Sequence, residues 1–172
     1  MSLTSFAAGV GAGLLIRKQK AKAVCVVHPE CNKDSSTGVS GQIELESLGD
    51  RTKAVVRLSG LTPGPHGIHV HRCADFSGGC ASTCEHYNPE GNPHGGALGP
   101  NRHKGDFGNV YADSDGVCVQ EIIADTKLSE IVGRAFIVHA DPDDMGLGDQ
   151  DDSTTTGHAG ARIAGGVIRW RK

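Results

Sequence analysis

SGQIELES (residues 40–47) and TKAVVRLS (52–59) stand on either side of a Gly49-Asp50 turn. In the first, Ile43 and Leu45 point one way while Gln42, Glu44 and Glu46 point the other. That period of two is the mark of a half-buried strand. Six further segments have strand character: 21–28, 67–71, 108–112, 116–123, 133–139 and 163–171. The fourth strand in chain order, GIHVH at 67–71, follows a Pro63-Gly64-Pro65 turn. Eight short strands with almost no helical periodicity predict an all-β fold. The expected form is an eight-stranded antiparallel Greek-key β-barrel, a flattened sandwich, with two long functional loops.

The chain has 172 residues, enough for one domain with a real core. Lys and Arg number 17 against 20 Asp and Glu, a net charge of −3, and there is no broad basic stripe. That balance excludes a general nucleic-acid binder. Residues 1–20 differ in character from the rest. An apolar run from Phe6 to Ile16 is followed by Arg17, Lys18 and Lys20. A secretory signal carries its basic residues before the apolar core, and this run is too short to span a bilayer. Residues 1–20 are therefore set apart as an N-terminal extension, a trimmed remnant or a targeting segment. Residues 21–172 form the barrel domain. A cytoplasmic location is favoured, with a secreted or organellar one left open by the extension.

Two stretches, 72–106 and 140–162, are rich in Gly, Pro, Asp, Asn, Ser and Thr. Loops of that length inside a compact domain are usually functional or disordered. Their histidines suggest what would order them. His69 and His71 share a strand face, because side chains at i and i+2 do. His139 ends another strand, and His86 lies in the first loop where it can fold back. Four neutral imidazoles suit copper, zinc or iron. His86, His94, His103 and Asp106 offer three imidazoles and a carboxylate, a set suited to tetrahedral zinc. The bland reading of any one loop histidine is a solvated side chain; the set as a whole argues for metal.

At these residues the chain resembles the copper/zinc superoxide dismutase family. The matching motifs are KAVCV (22–26), HGIHVH (66–71), HYNP (86–89), HGG (94–96) and RHKGDFGNV (102–110). IVGRAFIVH (131–139) and GHAGARIAGGVI (157–168) continue the match in order. The resemblance implies copper held by His69, His71, His86 and His139, and zinc held by His86, His94, His103 and Asp106. His86 would bridge the two. It implies that Asp143 links His71 and His94 by hydrogen bonds, with Asp144 as the competing carboxylate, and that Arg162 guides the anion. The implied reaction is dismutation of superoxide to dioxygen and hydrogen peroxide through a copper redox cycle, with His86 taking and returning a proton. A homodimer using Val132, Gly133, Ile168 and Trp170 and a copper chaperone are further implied partners. The rival reading is a non-catalytic copper- and zinc-binding or copper-delivery protein of the same fold.

The chain also departs from the family pattern. The family staples its first long loop to the last strand by a disulfide. Cys80 resembles the loop partner, but Gly165 stands where the second cysteine belongs. Cys73 and Cys84 are extra. Cys73–Cys84, Cys73–Cys80 and Cys80–Cys84 bonds are all open from sequence, and free thiols are the first expectation. Cys25 and Cys118 read as inert strand residues, and Cys31 sits in a polar turn. In the second loop Thr155 takes a lysine-like position amid DQDDSTTT (149–156). A slower encounter with superoxide and a weaker salt dependence are expected. His66 is expected to bond backbone and close the barrel end, His158 to be solvated, and His28 to end a strand.

Overall fold

In a computed structural model, residues 20–29 and 38–171 are described. The expectations for residues 1–19 and for Cys31 lie outside them. The strands are β1 (Lys22–Val27), β2 (Ser40–Ser47), β3 (Thr52–Ser59), β4 (Gly64–His71), β5 (Ser77–Cys80), β6 (Asp106–Ala112), β7 (Cys118–Ala124), β8 (Ala135–His139) and β9 (Arg162–Trp170). Two one-turn helices, α1 (Leu128–Ile131) and α2 (Ser153–Thr156), sit in the connections.

Eight strands form one antiparallel sheet in the order β6-β4-β8-β9-β1-β2-β3-β7. The step from β3 to β4 carries the chain from the second-last strand of that order to the second, a long crossover of the Greek-key kind. The sheet curls until its outer strands meet. There the Gln120 side chain on β7 accepts from Tyr111 N (3.1 Å) and donates to Asn109 O (3.0 Å) on β6. The barrel is thus nearly closed, and neither outer strand is left as a bare edge.

Alternation sends one face of each strand inward. Ile43 and Leu45 of β2, Ala54 and Val56 of β3, Ile68 and Val70 of β4, and Phe136 and Val138 of β8 share one core. Phe107 and Phe136 meet edge to face within it, ring centroids 4.8 Å apart, an arrangement that the aromatic quadrupole favours. On β4 and β8 the alternate positions, His69, His71, Ile137 and His139, are also buried, because the two long loops cover the outer face.

Ile168 does not supply a dimer surface. It is fully buried in the core, and of the residues expected at such a surface Gly133 and Trp170 are exposed. β5 was not foreseen either. SGGC has no apolar alternation, and it is a short ribbon inside the first loop rather than part of the barrel sheet. Among the described residues no helix is long and apolar enough to cross a membrane.

Candidate metal centre

The first long loop is laid over β4 by backbone pairing. Tyr87 N donates to Val70 O, Val70 N to Gly105 O, and Gly105 N to Tyr87 O, each at 2.8 Å. This requires glycine at 105, since a Cβ there would stand 2.2 Å from Val70 O. The pairing brings His86 opposite His71 as an isolated bridge. Register shifts between Gly67 and His69 on β4, and between Val138 and His139 on β8, lie directly beside the histidines. Bulges of this kind re-aim side chains next to functional sites.

Two groups of ligand atoms result. His69, His71, His86 and His139 form one; His86, His94, His103 and Asp106 form the other, and all seven residues are buried. The His86 ring lies 4.0 Å from that of His69 and 5.5 Å from that of His103, so it belongs to both. In the second group Asp106 Oδ1 lies 3.0 Å from His94 Nδ1, 3.1 Å from His86 Nδ1 and 3.2 Å from His103 Nδ1. His86 Nδ1 and His103 Nδ1 are 3.5 Å apart. Ligands about 2.0–2.1 Å from a tetrahedral zinc stand roughly 3.3 Å from each other, the edge of the tetrahedron. The observed separations match that edge. Among the described residues His69 Nδ1 is buried without a hydrogen-bond partner, and His94 Nδ1 has the Asp106 carboxylate 3.0 Å away but out of line for a hydrogen bond. Buried nitrogens are rarely left so unless an ion or water completes them.

Hydrogen bonds orient four of the rings. His71 Nδ1 donates to Cys84 O (2.9 Å) and His139 Nδ1 to Gly160 O (3.2 Å). Their unprotonated Nε2 atoms then face each other at 3.4 Å. His69 and His94 are held the other way. Asp143 Oδ2 takes His69 Nε2 at 2.9 Å and Oδ1 takes His94 Nε2 at 2.7 Å. The partner of Asp143 on β4 is therefore His69, not His71 as expected, because His71 leans on the loop carbonyl instead. Asp144 is occupied elsewhere, accepting from Ser153 Oγ and Gly146 N. Asp143 is itself clamped: Asn109 Nδ2 donates to its carbonyl and Asn109 Oδ1 accepts from its N–H, both at 2.7 Å. Gly157 packs against the bridge, where a Cβ would stand 2.1 Å from Asp143 Oδ1.

Electrostatics divide the two groups. Burial, then the neighbouring imidazole of His86, pushes His69, His71 and His139 down, His139 to about 3. These rings are neutral, which is the form that ligates. Burial also opposes charge on His94, but Asp106 and Asp143 outweigh it and raise it to about 9. Burial would raise Asp106, yet His103, His86 and His94 hold it well below the usual carboxylate range.

Residues 39–168 match the family described as Copper/zinc superoxide dismutase (SODC). The chain belongs to the copper/zinc superoxide dismutase family. Its barrel and its two metal-binding clusters sharing His86 are those of a superoxide-handling enzyme of that family.

Arg162 opens β9 and reaches the same end of this dismutase site. Its Nη1 donates to Cys80 O (2.8 Å) and lies 3.3 Å from Thr83 Oγ1. Its charge helps depress His71 and His139. His66 bonds His139 O (2.9 Å) and Thr62 O (2.8 Å), in keeping with a role at the barrel end. His158 is exposed and pairs with Asp152. Cys73 and Cys84 are not free thiols. They form a disulfide with a Cα–Cα distance of 5.6 Å, and Cys80 is disulfide-bonded as well.

Sequence reasoning missed three supporting residues. Arg102, buried, donates to His103 O, Asp106 O and Thr126 Oγ1. Asn109 clamps Asp143. Arg134 stacks 3.6 Å over the Tyr87 ring and donates to Arg72 O, pinning the segment that carries His86. Arg102 and Asn109 lie inside RHKGDFGNV, so the motif marked them, but nothing local marked their partners.

Proposed function

We propose that the chain dismutates superoxide to dioxygen and hydrogen peroxide, with copper held by His69, His71, His86 and His139 and zinc by His86, His94, His103 and Asp106. Copper, when bound, supplies one-electron redox chemistry; zinc supplies charge and order. The observation that carries this reading is the convergence of both ligand sets on one shared imidazole. The three-imidazole, one-carboxylate set suits zinc, and the all-imidazole set of neutral rings suits copper.

The geometry supports the following part for the protein. Arg162 keeps its charge at any working pH and presents donors toward the His71 and His139 end, where it holds a small anion. His86 carries a proton on Nε2 between the two half-reactions while Nδ1 stays turned toward Asp106. Asp143 fixes the orientation of His69 and His94 and raises their basicity. The loop cover keeps the centre buried, so that only a small anion needs to enter.

Metal content and superoxide dismutation measured on one purified sample test the reading. Turnover that scales with copper supports it. Full copper with negligible turnover overturns it in favour of a metal-storage or copper-delivery role.

A further inference from the structure

Cys73 lies two residues after His71, and Cys84 two residues before His86. Their disulfide closes a ring of chain directly against the all-histidine cluster. Backbone pairs Arg72 N to Glu85 O (2.9 Å) and Cys73 N to Thr83 O (3.1 Å) run beside it. Three groups of this ring face the centre. Cys84 O accepts from His71 Nδ1, Cys80 O accepts from Arg162 Nη1, and Thr83 Oγ1 stands 3.3 Å from each of those nitrogens.

Cys84 itself is strained. Its φ of 66° and ψ of −156° fall in a region that glycine occupies almost alone. Such a conformation persists only where the surroundings over-determine it. The disulfide is the covalent part of that constraint, and both cysteines are only half-buried, within reach of a small reductant.

We propose that the Cys73–Cys84 bond is a reducible clasp that holds the Cys84 carbonyl against His71, so that dithiol reductants tune the all-histidine end of the centre and spare the Asp106 end. Cys73 and Cys84 are thus positioning residues. A reductant thiolate attacks one Sγ, forming a mixed disulfide, and its second thiol resolves it. The Sγ–Sγ bond breaks, the reductant's own S–S bond forms, and two electrons and two protons end on Cys73 and Cys84. The Cys84 backbone then leaves its strained conformation, and its carbonyl no longer selects the His71 tautomer that leaves Nε2 free.

The metal readout rests on the copper assignment proposed above; the imidazole readout does not. In metal-free protein, long-range proton–nitrogen NMR reports which His71 nitrogen is protonated. Cys73→Ser/Cys84→Ser is expected to lose the Nδ1-protonated preference and, on titration with each metal, to bind copper about tenfold or more weakly, with zinc unchanged. Cys73→Ser/Cys84→Gly, whose backbone accepts the conformation without a bond, is expected to recover most of both. If the serine pair does not fold, wild-type protein is treated with dithiothreitol until peptide mass mapping shows this bond open, and the same quantities are read. An unchanged His71 tautomer with the bond open overturns the proposal. So does equal weakening of copper and zinc, or a glycine variant as impaired as the serine one. A shifted tautomer in a protein that binds no copper in any form supports the clasp and defeats the copper assignment instead.

Discussion

The two halves of the centre are built on different foundations. His69, His71 and His139 stand on β4 and β8, where ladder hydrogen bonds to the neighbouring strands set their backbones before any cation arrives. His94 and His103 stand on loop, and only Asp106 of their group belongs to a strand, as the first residue of β6. The strand-borne half contains no carboxylate and keeps its imidazoles neutral by burial. The loop-borne half depends on a buried carboxylate that gathers three imidazoles and also accepts His103 N (2.9 Å) and Gly95 N (3.0 Å). Rigid backbone places ligands cheaply, whereas a loop needs charge to gather them.

The contrast predicts unequal responses. Asp106→Asn leaves three buried imidazoles and two backbone N–H groups without their counter-charge. Breaking a buried ionic group in this way costs about 3–5 kcal/mol, so denaturant unfolding of the metal-free protein should shift by that amount and zinc should be lost. His139→Ala should abolish copper binding yet leave zinc content and the metal-free unfolding midpoint nearly unchanged, because the β8 ladder does not depend on that ring. Metal analysis beside denaturation curves compares the two directly; equal destabilisation would dissolve the distinction between the halves. Asp143→Asn touches both halves at once and should weaken both cations by about 10–100-fold, read by competition with a chelator.

Protons should act on the halves in opposite senses. In the metal-free protein His94 is raised from 6.5 to about 9. Its stabilising contribution is complete below about pH 6.5 and is lost as pH rises through about 9. His139 is lowered from 6.5 to about 3. Its neutral form favours the fold above about pH 6.5, and stability is lost as pH falls from there toward about 3. Thermal unfolding of metal-free protein across this range should fall on both sides, with His94→Gln reducing the alkaline loss and His139→Gln only part of the acid one, since His69, His71 and Asp106 are shifted down as well.

The strands were legible because alternation is written into SGQIELES and TKAVVRLS, and all seven candidate ligands were legible because their spacing and motifs stand out. What stayed hidden depends on where side chains turn. His69 and His71 share a strand face, and only the bulge at Gly67 and the Cys84 carbonyl decide which of them meets Asp143. The cysteine pairing was hidden for the same reason, since three bonds were open among Cys73, Cys80 and Cys84 until the loop path was known. α1 and α2 are too short to show a period. Arg102 works through two main-chain oxygens and the distant Thr126 hydroxyl, which no residue pattern reveals.

The smallest expected effect lies outside both halves. Thr155 is exposed in a loop that carries Asp149, Asp151 and Asp152. Thr155→Lys should raise the low-salt rate a few-fold and steepen its fall with ionic strength, without altering metal content. Stopped-flow rates against salt measure this, and a steep salt dependence already present in the wild type would count against the weak-steering expectation.

Asp143 has one more consequence. Its two oxygens strap His69 to His94, a second link between the clusters besides the His86 ring. The pair of clusters is therefore hinged by two pins rather than one. Under the reaction proposed above, in which His86 carries a proton, the second pin would hold the clusters at the same spacing while the first is loosened, so the imidazole would find its seat again without a search.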